Sequence, residues 1–520
     1  MPNAIEGKYC IFNYSEFPQL KDRAFQLFQY FENKYPKILQ LVDLPMRERV
    51  NIVMKTLPLG PPAGKTGHSD IYLDPNQLDP KDLGVLVHEG THVAQDFQDD
   101  NFENIDNKLW LIEGMANHVR LLLGWDGPNQ PKFEPSKIKI NTSLKEQRDY
   151  DVWAEFFKWL ATKYSKGNLL VDFTNALKNS ETDEAFLKRE FGKSSGQLWG
   201  EFEGRVLFEQ FKVKRELWIE CLSGKDRNSI FNQIFDMVWN AAVFRVINEA
   251  RKITAENEEG QKEINGMLHH FIDECFFDSQ FLAIRRLTDP AYELRDAERG
   301  IFSLFALLND MRKNIALFTR ENFFAAEGLE YDYEAIEKRE QEFIAEQVKN
   351  GQRVIWGPRD LDSWPIKLRH EAIDALSGVS AEQRKPSDVI QEKVLDCLIK
   401  ILKDVSTDIN LYVNKYIAHL ATPQSREHYK ADEVSITLGH LWNAYKVICQ
   451  VANFVDSYML TGASHSFLPV PQFNNFEFIE KSLVSYSNIE VLSKAWDDFS
   501  KETSSWGSWG LKELREQSGL

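Results

Sequence analysis

His88-Glu89-Gly90-Thr91-His92 is the stretch of this 520-residue chain whose residue types and spacing most suggest chemistry. On a helix, His88 and His92 share one face about 6 Å apart, so both imidazoles can reach one tetrahedral zinc ion. Glu89 then stands beside the position such an ion keeps open, where a carboxylate can take a proton from water and return it to a leaving amine. The pattern also arises by chance, and its plain alternative is two solvent-facing histidines on a charged helix. The flanks weigh against that alternative. Leu83, Leu86 and Val87 before the pattern, with Val93, Ala94 and Phe97 after it, predict a buried helix on which two histidines need a partner. A catalytic site needs a third protein ligand, and Glu113, 21 residues after His92 in Glu113-Gly114-Met115-Ala116-Asn117, has the right chemistry. The other reading of Glu113 is an ordinary solvated carboxylate. One turn on, Asn117 faces the same way and could bond the far nitrogen of a ligand histidine, while Gly114 leaves the approach of the two helices uncrowded.

Two helices must carry these residues. Asp79 as N-cap and Pro80 at the first helical position open the first, DLGVLVHEGTHVAQDF, and the second spans about 109–123 before Gly124-Trp125-Asp126-Gly127. Upstream, residues 16–42 have apolar positions at helical spacing, 49–57 reads as a strand, and Asp70-Ile71-Tyr72-Leu73 alternates as a short one. The loop between them, LGPPAGKTG, ends like part of a phosphate loop. Leu59 stands where the upstream glycine belongs, and HSDIYLDP reads as extended rather than helical, which argues against nucleotide binding. Residues 150–165 and 167–180 return to helical periodicity, and 181–203 reads as the close of a first domain, 1–210. From about 215 nearly every segment is long, amphipathic and helical, giving an all-α domain over 211–460 and a partly helical extension over 461–520.

The length exceeds what one hydrophobic core serves. Five cysteines, scattered singly, read as reduced thiols, and no basic-then-apolar leader or long apolar run stands in the sequence, so the expectation is a soluble, cytoplasmic protein with no membrane partner. A net charge of −17 disfavours nucleic acid held through its phosphates and favours protein or peptide partners.

LVHEGTHVAQ, LIEGMANHVRLLLG and RDYDVWAEFFKWLATKY, in that order over about 5–205, resemble the plant and bacterial basic secretory protein peptidases, a gluzincin-like family. The resemblance implies a zincin-like α/β fold, Zn2+ on His88, His92 and Glu113, and Glu89 as catalytic base. Tyr150 is either a donor to the oxyanion or a core aromatic, and Asp70–Leu73 would be the edge strand that pairs with an extended substrate. Where the family carries Asp, this chain has Asn117, and loss of such a partner typically costs ~10–100-fold in metal affinity or activity.

FDMVWNAAVFRVINEARK, FFDSQFLAIRRLTDP and YVNKYIAHLA, over about 225–460, resemble the helical HEPN-like domains of bacterial abortive-infection proteins. HEPN nucleases pair an Arg with a His, but Tyr412, Val413, Asn414 and Lys415 precede His419, which favours a sensor or scaffold over RNA cleavage. The adjacent pair His269 and His270 faces different directions and makes a poor metal site. The expectation is a zinc-dependent peptidase, regulated or targeted by a HEPN-like domain through which the chain could form a homo-oligomer, in bacterial defence or stress. Its alternative is a catalytically weak pseudo-peptidase, marked by Asn117 and a helix-weakening Gly90, with a HEPN-like sensor or RNase role.

Overall fold

The computed structural model describes residues 3–57, 64–67, 69–76, 78, 83–95, 105–124, 133–139, 142–179, 181–290, 294, 300–351, 363–418, 420–468, 470–479, 481 and 488–505. Asp79, Pro80, Phe97, His419 and the 506–510 tail lie outside them. No helix among the described residues is long and apolar enough to cross a membrane. The chain divides into two compact units, Met1–Gln233 with Asp278–Ser464, and Ile234–Phe277 with His465–Leu520.

The first unit opens with a small mixed sheet of β1 (Ala4–Glu6), β2 (Cys10–Asn13), β3 (Val50–Met54), β4 (Gly64–Gly67) and β5 (Asp70–Leu73), in the order β1-β2-β3-β5-β4. The three inner strands run parallel, and β1 and β4 are antiparallel to their neighbours. The parallel step from β2 to β3 needs a crossover, which α1 (Lys21–Val42) supplies. The expectation that Asp70–Leu73 is the edge strand does not hold. Asp70 lies opposite Asn51 of β3 on one side and opposite Gly67 of β4 on the other, so the edge belongs to β4. Gly-Lys-Thr-Gly has no apolar alternation, so this strand is set by its neighbour rather than by its own pattern.

Strand β3 buries Val50, Ile52 and Met54, which pack with Phe12 and Ile71 against Leu27, Phe31 and Ile38 of α1 and Leu86 and Val87 of α2 (Gly84–Gln95). A Cβ on Gly90 would stand 3.0 Å from Phe31 and 3.2 Å from Ile38. The glycine is where α2 lies down on α1.

A second core, rich in aromatic rings, joins α3 (Ile105–Leu123), α4 (Tyr150–Lys163), α5 (Leu169–Lys178), α6 (Asp183–Phe191) and the first half of α7 (Ser195–Ser223). Three of its buried indoles find acceptors: Trp110 donates to Asp183 Oδ2 at 3.0 Å, Trp153 to the Leu144 carbonyl at 2.9 Å and Trp199 to the Thr142 carbonyl at 2.9 Å. Gly114 serves this core rather than the approach of α3 to α2, because a Cβ there would lie 2.9 Å from Trp153 Cβ and 3.1 Å from the Phe157 ring. Gly114→Ala is therefore expected to destabilise by about 1–3 kcal/mol through overpacking, despite alanine's better helix propensity, and a lowered thermal midpoint would register it.

Helix α7 continues without a break past residue 210, the expected domain boundary. Its second half packs Phe211 and Trp218 against Phe318, while Lys214 Nζ and Trp218 Nε1 both donate to Asp310, at 2.8 and 2.7 Å. Among the described residues that follow, the α-helices are α8 (Ile230–Ile253), α9 (Gly266–Leu287), α10 (Leu304–Lys313), α11 (Arg320–Glu327), α12 (Tyr333–Lys349), α13 (Ser363–Ser377), α14 (Glu392–Tyr412), α15 (Pro423–His428), α16 (Leu438–Phe454) and α17 (Ile489–Ser505). Helix α14 packs between α10 and α16 and runs into a π turn over Val413–Ile417. Arg320 at the head of α11 is fully buried and bonded to Asp374, Asp388 and the His370 carbonyl.

In the second unit, Phe244 stacks on Phe276 with centroids 3.7 Å apart, Arg251 pairs with Asp273 at 2.7 Å, and Phe467 and Phe473 lie against Phe235 and Trp239. His269 accepts from Arg251 Nε at 2.9 Å and His270 pairs with Glu274 at 3.2 Å, so each has its own neighbour.

Candidate metal centre

Helix α2 projects His88 and His92 from successive turns, and α3 brings Glu113 to meet them. His88 Nε2 lies 3.1 Å from Glu113 Oε2 and 3.1 Å from His92 Nε2, and His92 Nε2 lies 3.5 Å from the same carboxylate oxygen. Three lone-pair donors thus form a nearly equilateral triangle. A tetrahedral zinc with bonds of about 2.0–2.2 Å to such atoms needs ligand–ligand edges of about 3.3–3.6 Å, so the triangle has the size of one tetrahedral face. Donor types, spacing and burial all fit that ion. The other ring nitrogen of His88, Nδ1, is buried with no hydrogen-bond partner among the described residues.

The charges are matched as well. Burial acts to raise the Glu113 pKa, but hydrogen bonds from His88 and His92 outweigh it and hold the carboxyl at about 2. Burial acts to lower the His92 pKa, and it is overcome by the Glu113 bond and the charges of Glu113 and Glu89, which raise it. Glu89 is buried on α2 directly after His88.

Tyr150, the first residue of α4, is 42% exposed and so is not a core aromatic. Its ring lies parallel to that of His88, 6.0 Å away and 7° from coplanar, and stacks on Trp153 at 5.7 Å on its own helix. Burial first, and then the charges of Glu113 and Glu89, push its hydroxyl pKa upward.

Asn117 does not make the expected bond to a ligand histidine. Its amide turns to α4, where Nδ2 donates to Asp151 Oδ1 at 2.8 Å, and its Oδ1 accepts from Arg120 Nη1 at 3.3 Å. The other oxygen of Asp151 accepts from Lys137 Nζ at 2.6 Å. Sequence reasoning passed over Asp151 and Lys137. Asp149 accepts from the backbone N–H of Asp151 and Val152 as an N-cap, and an acid in the first turn beside it reads as ordinary helix-start chemistry. His118, next to Asn117, stays apart from the cluster: burial, helped by Lys158, pulls it down to about 4, and its ring packs on Phe157.

No curated protein and no solved structure matches the chain. Residues 63–202, which contain the whole cluster and Tyr150, match the family model described as a peptidase of plants and bacteria. Residues 213–477 match the HEPN family model described as AbiU2. That second match covers just over half of the 520 residues, so the chain, with its peptidase-like segment ahead of that region, belongs to the HEPN AbiU2 family.

Proposed function

We propose that the front part of the chain, to about residue 210, is a zincin-like peptidase that holds zinc on His88, His92 and Glu113 and hydrolyses peptide bonds of a protein or peptide substrate. The observation that carries this reading is the triangle of two imidazole nitrogens and one carboxylate oxygen at 3.1, 3.1 and 3.5 Å. Zinc on these atoms supplies Lewis acidity, polarising a carbonyl and lowering the pKa of water. Glu89 takes the proton of the attacking water and delivers it to the leaving amine. Tyr150, a phenol that carries its proton at neutral pH, donates its O–H to the oxyanion of the substrate. Strand β4, at the sheet edge and packed along α2, offers backbone groups to an extended peptide. The AbiU2-type region, over about 211–460, targets or regulates this activity, which suits a cytoplasmic abortive-infection response in bacteria and assembly of copies through the helical part. Elemental analysis of the purified chain tests the metal. Near-equimolar zinc is expected in the wild type, with loss or strong weakening in both His92→Ala and Glu113→Ala. A zinc-free wild type that stays zinc-free after loading would remove the reading.

A further inference from the structure

We propose that Asn117 and Asp151 form a donor–acceptor latch that holds Tyr150 over the His88–His92–Glu113 cluster, which makes both of them positioning residues. The inference rests on the peptidase reading for its functional meaning, but not for its geometry. Glu113 and Asn117 sit one turn apart on α3, and Tyr150 and Asp151 are consecutive at the start of α4. The 2.8 Å bond between positions 117 and 151 therefore ties the helix that supplies a cluster carboxylate to the first turn of the helix that supplies the aromatic lid. Tyr150 is exposed by two-fifths, so burial alone does not fix it. Its place is set by its parallel contacts with His88 and Trp153 and by the latch next to it in sequence.

The polarity of the latch is fully determined. A carboxylate only accepts, so Asp151 must face a donor, and the amide nitrogen of Asn117 is that donor. Both oxygens of Asp151 are engaged, one by Asn117 and one by Lys137, and the amide oxygen of Asn117 is engaged by Arg120. An aspartate at 117 would keep the bond from Arg120 but turn a second carboxylate oxygen onto Asp151 at hydrogen-bond distance, with no proton between them. The Asn at 117 is thus the partner of Asp151 and not a weakened zinc residue. It follows that Asn117→Asp harms this chain. The exchange Asn117→Asp with Asp151→Asn reverses the polarity and gives every group a partner again: Asp at 117 accepts from Arg120 and from the new amide, whose oxygen accepts from Lys137.

The test uses the full chain as wild type, Asn117→Asp, Asp151→Asn and the double exchange. The first readout is the rate at which tetranitromethane nitrates Tyr150 in metal-free protein, located by peptide mass spectrometry. The second is zinc content with kcat and KM. Asn117→Asp is expected to speed nitration of Tyr150 several-fold and to lower kcat about tenfold or more, with zinc near equimolar and KM within about twofold. The double exchange is expected to return nitration and kcat to within about threefold of wild type. Nitration unchanged in Asn117→Asp, or a double exchange no better than that single variant, would overturn the latch. Nitration needs neither zinc nor turnover, so it tests the latch even in a chain that fails as a peptidase. If Asn117→Asp does not fold, Asn117→Ala removes both bonds without adding charge and is read by the same nitration assay, with the same faster rate expected.

Discussion

Glu89→Gln is expected to lower kcat by ~10²–10⁴-fold while leaving zinc near equimolar, because it removes the proposed proton acceptor and keeps the size of the side chain. The side chain is buried on α2, and glutamine matches it in shape. On the proposed reading the metal would be held by His88, His92 and Glu113, so its content should not change. The variant therefore separates two failures that alanine at a ligand would merge: loss of the metal and loss of the base. Steady-state cleavage of a peptide library, run beside elemental analysis, checks it. Wild-type turnover in Glu89→Gln would place the base elsewhere, and zinc loss would make Glu89 part of the metal's own surroundings.

Arg320→Ala is expected to cost about 3–5 kcal/mol, the largest stability effect of any single residue described above. The guanidinium is fully buried and donates from Nε to Asp388 at 3.1 Å, from Nη2 to Asp374 at 2.8 Å and from Nη1 to the His370 carbonyl at 3.2 Å. Its backbone N–H also bonds the Asp388 carbonyl at 2.8 Å, so one residue stitches α11 to α13 and to the segment before α14. Removing the cation takes one charged bond from each carboxylate, leaving Asp374 to Arg384 and Asp388 to the Lys385 N–H, and that lost compensation in a largely buried site, more than the lost attraction, sets the cost. Acid should expose the same dependence. Burial would raise the Asp374 pKa, but the bonds from Arg384 and Arg320 hold it below its ordinary 3.8. A depressed carboxylate contributes stability above its unfolded pKa and loses it as pH falls through the folded one. The gap between wild type and Arg320→Ala in thermal unfolding should thus be widest above about pH 4.5 and narrow below 3.8. A pH-independent gap would mean that packing of the arginine stem, not its charge, holds these helices.

The cluster was legible because a helix converts spacing into direction. His88 and His92 four residues apart had to share a face, and the apolar flanks said that the face was inside. Glu113 was reached through chemistry, and its convergence depends on how α3 crosses α2, which no local pattern encodes. The same one-turn rule points Asn117 toward a histidine. Helix phase gave the side, but α4, packed against that side, offered a carboxylate. The strand β3 stands out by alternation, whereas β4, four residues with two glycines, has the composition of a loop, because its pairing with β5 is a long-range decision. The break near residue 210 was placed by a change in composition, and composition changes there while the backbone does not.

The unbroken helix Ser195–Ser223 constrains how such a chain could have been assembled. The peptidase match ends at residue 202 and the AbiU2 match begins at residue 213, and both positions lie within the helix Ser195–Ser223. Modules joined by a loop tolerate gain or loss of residues at the join. Here each residue inserted or deleted would turn everything downstream by about 100° and shift it by about 1.5 Å, so that Phe211, Trp218 and the Phe318 they pack on would swing together relative to Trp199 and Phe202 of the front core, and Asn322 and Ala325 of α11 would leave the cavity they line with Gln197, Gly200 and Glu201. A fusion at this point had to respect helical phase, so indels between 203 and 212 that survive in related chains should come near whole numbers of turns, seven residues being tolerated far better than two.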